Sequence, residues 1–118
     1  MELDLSIRGN ALIARPNCEI DHHSAQWLRS QVDAAFDKSP CRHVIFDFSD
    51  VSFMDSSGIG MIIGRYKNAE KRGGQLALAG MNDEMGRLFQ ISGLAKIINR
   101  ATTVDEAYQN LSTRREAQ

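Results

Sequence analysis

The sequence predicts an α/β domain: a mixed β-sheet opened by an N-terminal hairpin and continued by parallel crossovers, with about four helices. Three observations point there. A period-two apolar pattern at the start runs into a two-residue turn signal. Beyond it, short apolar runs alternate with stretches whose apolar residues recur at helical spacing. Capping residues and glycine stops mark the boundaries between them. The 118 residues carry no repeat, low-complexity tract or linker, so one domain over 1–118 is expected. A chain of that size buries roughly 65% of its unfolded surface.

Each element has a local reason. Leu3, Leu5 and Ile7 alternate with Glu2, Asp4 and Ser6, the pattern of a half-buried strand. Gly9-Asn10 signals the hairpin turn, and Ala11 to Ala14 reads as the returning strand. Asp21 can cap a helix to about Asp37, with Ala25, Leu28, Val32 and Phe36 on one stripe. Lys38-Ser39-Pro40 ends it, and a strand at 43–49 follows. The next helix carries Ile59, Ile62, Ile63 and Tyr66 and stops at Gly73-Gly74. Gln75 to Ala79 is a strand. Asn82 caps a short helix to Ser92 that buries Met85, Leu88 and Phe89, with Gly93 as its left-handed stop. Ile97-Ile98 is expected as a last short strand. Thr103-Val104-Asp105-Glu106 has the capping-box arrangement and starts a helix towards Leu111, with fraying expected from Arg114 to Gln118.

Composition narrows the function. Fourteen basic against 15 acidic side chains give a net charge of −1, and a pI near 6.3 lacks the basic surplus of a nucleic-acid-binding module. Met1 to Leu5 has neither the basic nor the apolar region of a signal peptide, and the apolar run from Ile59 to Gly64 is too short to span a bilayer. A cytoplasmic protein without membrane or direct nucleic-acid partners is expected. Cys18 and Cys41 lack metal-type spacing and read as structural thiols of a reducing compartment.

The chemistry concentrates in Phe53-Met54-Asp55-Ser56-Ser57-Gly58-Ile59-Gly60, which follows the strand Val44-Ile45-Phe46-Asp47-Phe48. Two hydroxyls stand at a helix N-terminus, where unpaired amides and the positive end of the dipole favour an anion. A serine there can carry a phosphate without breaking the fold, so the motif reads as a reversible phosphorylation switch with Ser57 as acceptor. Asp55 is the natural cap, Ser56 and Gly58 support the turn, and Ser57 is expected to be the more exposed hydroxyl. Gly60 and Gly64 read as small residues letting the helix lie tight on the sheet, whereas Gly58 fits either packing or access. Because loops after successive parallel strands emerge at one end of a sheet, Asp21, Ser57 and Gly80 to Asn82 are expected on one surface.

Enzyme patterns fit poorly. A nucleophile elbow needs glycine two positions before the serine, where Ser57 has Asp55. His22, His23 and His43 all precede the serines, the wrong order for an α/β-hydrolase. No Walker-type phosphate loop occurs. Adjacent His22 and His23 on a helix point about 100° apart and do not converge on a metal. Asp47 and Asp50 read as a sheet-face and a turn residue rather than an acidic metal pocket. Neither a metal nor a cofactor is expected.

The run from Val44 to Gly64, VIFDFSDVSFMDSSGIGMIIG, resembles the signature of the STAS domain, the sulfate-transporter and anti-sigma-factor-antagonist module. With EIDHHSA at 19–25, GRYKNAEKRGGQL at 64–76 and RLFQISGLAKII at 87–98, the chain resembles the sporulation anti-sigma factor antagonists of bacilli over nearly its whole length. The resemblance implies a regulator, not an enzyme. Its unphosphorylated form would bind an anti-sigma factor that is also a serine kinase, freeing a sporulation sigma factor. Phosphorylation of Ser57 would switch it off, and a serine phosphatase would restore it. Asp21 matches the family position that helps contact the kinase; Ser57 and Gly58 complete the implied partner surface. Trp27 departs from the family's polar residue and either covers the edge of the first helix or enlarges the interface. Two other readings stand beside this one: a small GTP- or ATP-binding domain, weakened by the missing Walker lysine, and a STAS regulator of a stress-response kinase assembly. A monomer is the default, with an exposed sheet edge as the route to a dimer.

Overall fold

The computed structural model describes residues 1–111 in full and the backbone of 112–117. Five strands, β1 (Glu2–Arg8), β2 (Ala11–Asn17), β3 (His43–Asp47), β4 (Leu76–Ala79) and β5 (Asn99–Ala101), form one sheet in the order β1-β2-β3-β4-β5. The first pair is antiparallel and the remaining three pairs are parallel. The helices are α1 (His22–Lys38), α2 (Ser56–Lys71), α3 (Asp83–Ser92) and α4 (Val104–Ala117), with a 3₁₀ turn at Leu94–Lys96. This is the mixed α/β architecture read from the pattern. A right-handed crossover that always steps to the next strand in the same direction keeps its helix on one face. Accordingly α1, α2 and α3 share a face of the sheet, and α4, which follows the last strand, covers the other.

Strand side chains sort into two cores by the period of two. Leu12, Ala14, Val44, Phe46, Phe48, Leu76 and Leu78 point into the larger core with Leu28, Val32, Phe36, Ile62, Met85 and Phe89 of the three helices. Phe46 and Phe48 stack there with ring centroids 5.4 Å apart. Ala11, Ile45, Ala77, Ala79 and Ala101 face Ala107 and Leu111 of α4. The alanines leave α4 room to lie close to the sheet. The central strand His43–Asp47 is apolar on both faces, as a strand covered on both sides must be.

The hairpin turns at Gly9-Asn10, with Arg8 opposite Ala11. Gly9 has φ +59° while among the described residues no non-glycine has positive φ, the backbone of a II′ turn. Arg8 ties this corner to α4: its guanidinium lies 4.4 Å from the Tyr108 ring centroid and pairs with Asp105. At the end of α2, Gly73 adopts φ +74°. Its amide donates to the Glu70 carbonyl and that of Gly74 to the Ala69 carbonyl, each at 2.9 Å, a Schellman stop.

Three expectations about the fold are corrected. The last strand lies at Asn99–Ala101 rather than Ile97-Ile98, because Gly93 launches a 3₁₀ turn instead of a direct connection. The second strand runs on to Asn17 rather than stopping at Ala14, pairing with β1 throughout. Leu5 and Ile7 are not half-buried but exposed, at 39% and 57%, since their strand lies at the sheet edge. The caps at Asp21, Asp55, Asn82 and Thr103 stand where expected. Fraying at 114–118 concerns residues outside the fully described ones. Among the described residues no helix is long and apolar enough to cross a membrane.

Candidate functional site

The loops leaving β2, β3 and β4 meet at one end of the sheet, joined by backbone bonds. Ile20 donates to the Phe53 carbonyl at 2.8 Å and accepts from the Asp55 amide at 3.0 Å, forming a parallel bridge with Met54. Asn82 Nδ2 donates to the Ser52 carbonyl at 3.1 Å. Asp21 thus follows directly on the residue that clamps the Asp55 loop, and the Gly80 to Asn82 loop is pinned to the same segment.

Asp55 caps α2 by accepting the Ser57 amide on Oδ1 at 2.8 Å. Ser56 takes the first helical position and is exposed, while Ser57 takes the second and is half-buried. That reverses the expectation that Ser57 would be the more exposed hydroxyl. Ser57 instead opens onto a groove of about 340 Å³ between α1 and α2, which it shares with His22, Gln26, Arg29, Met61 and Arg65.

The tight-packing role expected of Gly60 and Gly64 is not theirs, and of the two roles open to Gly58 the structure takes packing. A Cβ on Gly60 or Gly64 would meet nothing within 4 Å, and both glycines line the groove. They hold it open rather than seating the helix on the sheet. Gly58 is the packed one: a Cβ there would lie 2.4 Å from Met54 Cγ and 3.0 Å from Ile20 Cγ2. It therefore couples the start of α2 to the same bridge that fixes the loops.

Asp21 makes a capping box, its Oδ1 accepting from the Ser24 amide at 2.9 Å and its own amide donating to Ser24 Oγ at 2.9 Å. The Ser24 amide bond holds the Asp21 carboxyl below its usual range, helped by the Ser24 hydroxyl and the His23 amide against a partial loss of hydration. Deeper in the groove, Arg65 is 6% exposed. Its Nε sits 2.8 Å from Asp33 Oδ1, which also accepts from Asn68 Nδ2 at 3.0 Å. The Arg65 contact acts through charge more than hydrogen-bond alignment, since Nε lacks a well-directed partner. Burial pulls the Arg65 pKa down, and Asp33 opposes that pull.

The remaining candidates take ordinary places. His22 and His23 are exposed, and His43 is buried with its Nδ1 accepting from the Gln75 amide at 2.9 Å. Asp47 and Asp50 flank Arg15, whose Nε lies 3.9 Å and 2.9 Å from their carboxylates. The Asp50 bond, ahead of the nearby Asp47 charge, raises the Arg15 pKa. Cys41 is buried and Cys18 half-buried, both as free thiols, and burial pushes the Cys18 pKa up, away from reactivity. Among the described residues no group of three or more His, Cys, Asp or Glu side chains is placed to hold a metal ion.

The STAS domain family model matches residues 2–107. The chain belongs to the STAS-domain family. A Paenibacillus polymyxa protein named anti-sigma F factor antagonist is 37% identical over 98 residues, 83% of this chain and 84% of its own length. The Bacillus subtilis anti-sigma-B factor antagonist is 33% identical over 101 residues, 84% of this chain and 91% of its own. The structure of the anti-sigma factor antagonist SpoIIAA in its unphosphorylated form superimposes with a TM-score of 0.80 at 28% identity, over 95% of this chain and 97% of that one. SpoIIAA of Bacillus in its phosphorylated form gives 0.70 at 30% identity, over 92% and 98%.

In this STAS domain, Trp27 is half-buried against the larger core, at the edge of α1. Two features of the site escaped sequence reading. Phe53, 44% exposed, presents an aromatic ring two residues before the capping aspartate, a role the motif's hydroxyls and glycines did not point to. The groove side chains of His22, Arg29 and Arg65 belong to two helices, and only their packing brings them together.

Proposed function

We propose that this STAS domain is an anti-sigma factor antagonist, a regulator rather than an enzyme, working in the cytoplasm. Its unphosphorylated form binds an anti-sigma factor with serine kinase activity and thereby releases a sporulation sigma factor. Phosphorylation of Ser57 ends that binding, and a serine phosphatase restores it. The observation that carries the reading is the placement of Ser57: at the second position of α2, its amide held by Asp55, its side chain at the head of an open groove beside the Asp21 loop. The names of the relatives support the same reading.

The switch follows from electrostatics at a packed surface. A phosphate adds about −1.5 to −2 charges at neutral pH. In the free domain the amino end of α2 offsets about 0.3–1 kcal/mol of that, against the nearby Asp55 carboxylate. In a complex the same charge would be desolvated against groups that had packed on a neutral hydroxyl. A loss of about 3 kcal/mol weakens binding by roughly two decades. Asp21, Ser57 and Gly58 form the partner surface, with Asp55, Ser56 and Gly58 shaping the turn, and exposed Phe53 adds an apolar anchor.

The test is phosphorylation by candidate anti-sigma kinases with ATP, mapped by mass spectrometry. Modification should be lost in Ser57→Ala and kept in Ser56→Ala; the opposite pattern overturns the assignment. Asp21→Ala should weaken kinase binding while the domain stays folded, and unchanged affinity removes Asp21 from the interface. A second reading, a regulator of a stress-response kinase, is favoured by the Bacillus subtilis relative named for sigma-B. Titration against both kinds of kinase separates the two.

A further inference from the structure

β1 is an outer strand of the sheet. Among the described residues β1 bonds only to β2, so its outer side is an open sheet edge. Natural edges are usually blunted by proline, charged side chains or a bulge; Glu2–Arg8 has no proline, its register with β2 is continuous, and its charges Glu2, Asp4 and Arg8 lie on the face opposite Leu3, Leu5 and Ile7. The edge also carries apolar side chains in the open: Leu5 is 39% exposed and Ile7 57%. Pro16, Ala14 and Leu12 stand opposite Leu3, Leu5 and Ile7, so all of these project to the side of the sheet that bears α1, α2 and α3.

The two-residue turn makes Arg8 and Ala11 the closing pair of the hairpin. In an antiparallel ladder the hydrogen-bonding groups of successive residues alternate between the two sides of the strand. Counting back from Arg8, the amides and carbonyls of Leu3, Leu5 and Ile7 face the open edge.

We infer that a second copy of this chain pairs with β1 in antiparallel fashion, about a twofold axis through Leu5 normal to the sheet. In that register Leu5 opposes Leu5 of the other copy, Leu3 opposes Ile7, Asp4 opposes Ser6, and Glu2 opposes Arg8. The outward-facing residues 3, 5 and 7 map onto 7, 5 and 3, so every outward amide meets an outward carbonyl. The apolar side chains pair on one face and a carboxylate meets a guanidinium on the other. Arg8 keeps capacity for this, because its side chain remains 39% exposed beside Asp105. Centring on Asp4 would set two carboxylates against each other, and centring on Ser6 leaves Glu2 and Leu3 unpaired. The Leu5 register alone uses the whole strand with complementary charges, giving a ten-stranded sheet.

Sedimentation of the full chain tests this between about 1 μM and about 1 mM, a range spanning weak to moderate affinities. The mass should climb towards twice the 13.2 kDa of one chain, and Leu5→Lys should hold it at the single-chain value with an unchanged circular dichroism spectrum. A single-chain mass throughout, or Leu5→Lys associating like the parent, overturns the proposal. Cross-linking decides independently, even if Leu5→Lys fails to fold. Opposed hydrogen-bonded residues have Cα atoms about 5.5 Å apart, within the disulfide range of about 4.4–6.8 Å. In a Cys18→Ser background, Leu5→Cys should oxidise to a covalent dimer and Ser6→Cys should not. Equal cross-linking of the two variants, or none with Leu5→Cys, overturns the twofold at Leu5.

Discussion

The Oδ1 of Asp55 accepts the backbone N–H of Ser57 at 2.8 Å. The residue that fixes where Ser57 points is therefore also the negative charge nearest to any phosphate added there. Helix-end attraction and carboxylate repulsion nearly cancel, so phosphorylation is expected to move the stability of the free domain by no more than about 1–2 kcal/mol. Asparagine caps as well as aspartate. In Asp55→Asn the phosphorylated form should therefore gain about 0.5–1 kcal/mol relative to its unphosphorylated form. Thermal unfolding of the four species checks this. Amide chemical shifts should change near residues 55–60 and the adjoining loops; changes spread across the sheet and α4 would show a refolding switch instead.

Gly58 and Gly60, two positions apart, are expected to respond oppositely to alanine. Gly58→Ala drives a methyl into Met54 and Ile20 and should cost about 1–3 kcal/mol. Gly60→Ala meets open space and should raise stability by about 0.5–1 kcal/mol through helix propensity. Denaturant titration measures both. If Gly60→Ala also weakens partner binding while stabilising the fold, the groove is part of the interface.

Asp33→Ala strands the buried Arg65 guanidinium and should destabilise by about 1–3 kcal/mol. Combining it with Arg65→Met removes the orphaned charge. The double variant should lose less than the sum of the two single losses in a double-mutant cycle. Additive losses would show that the pair contributes nothing specific.

The Asp21 carboxyl lies below its usual range in the folded protein, so the unfolded chain binds its proton first as pH falls. Its contribution is then full above the unfolded pKa of about 3.9 and is lost as pH drops through the lower folded value. Between pH 5 and the acid transition, Asp21→Asn should therefore lose less stability than the parent. Unfolding followed from about pH 6 to about pH 2 reads the difference; identical acid profiles would exclude the linkage.

Nearly all of the element order was legible because each boundary carries its own chemistry: Asp21, Asp55 and Asn82 as caps, Gly73 and Gly93 as stops. Local rules reach that far. They misplaced β5 because Gly93 suits a helix end, a 3₁₀ turn or a loop equally well. They misread Gly60 and Gly64 because a missing side chain looks the same in sequence whether it admits a neighbour or leaves a gap. Ser57 against Ser56 failed similarly, since the relative depth of two adjacent helix-start residues depends on α1 across the groove. Leu5 and Ile7 kept the alternation of a covered strand, and only their position at the sheet edge uncovers them.

The spatial order of the strands repeats their order along the chain. During synthesis, each new strand thus docks on the free edge left by its predecessor, and no paired strand must reopen to admit a later one. Each parallel pair is nevertheless non-local, joining Ala11 to His43, Val44 to Leu76 and Ala77 to Asn99 across a whole helix, which slows its closure. The exception is α4, which follows β5 and covers the alanine-lined face. Until it emerges, the nascent domain shows that bare face to the cell. A ribosome stalled before Val104 would hold a finished sheet with an uncovered side, a natural point for chaperone capture.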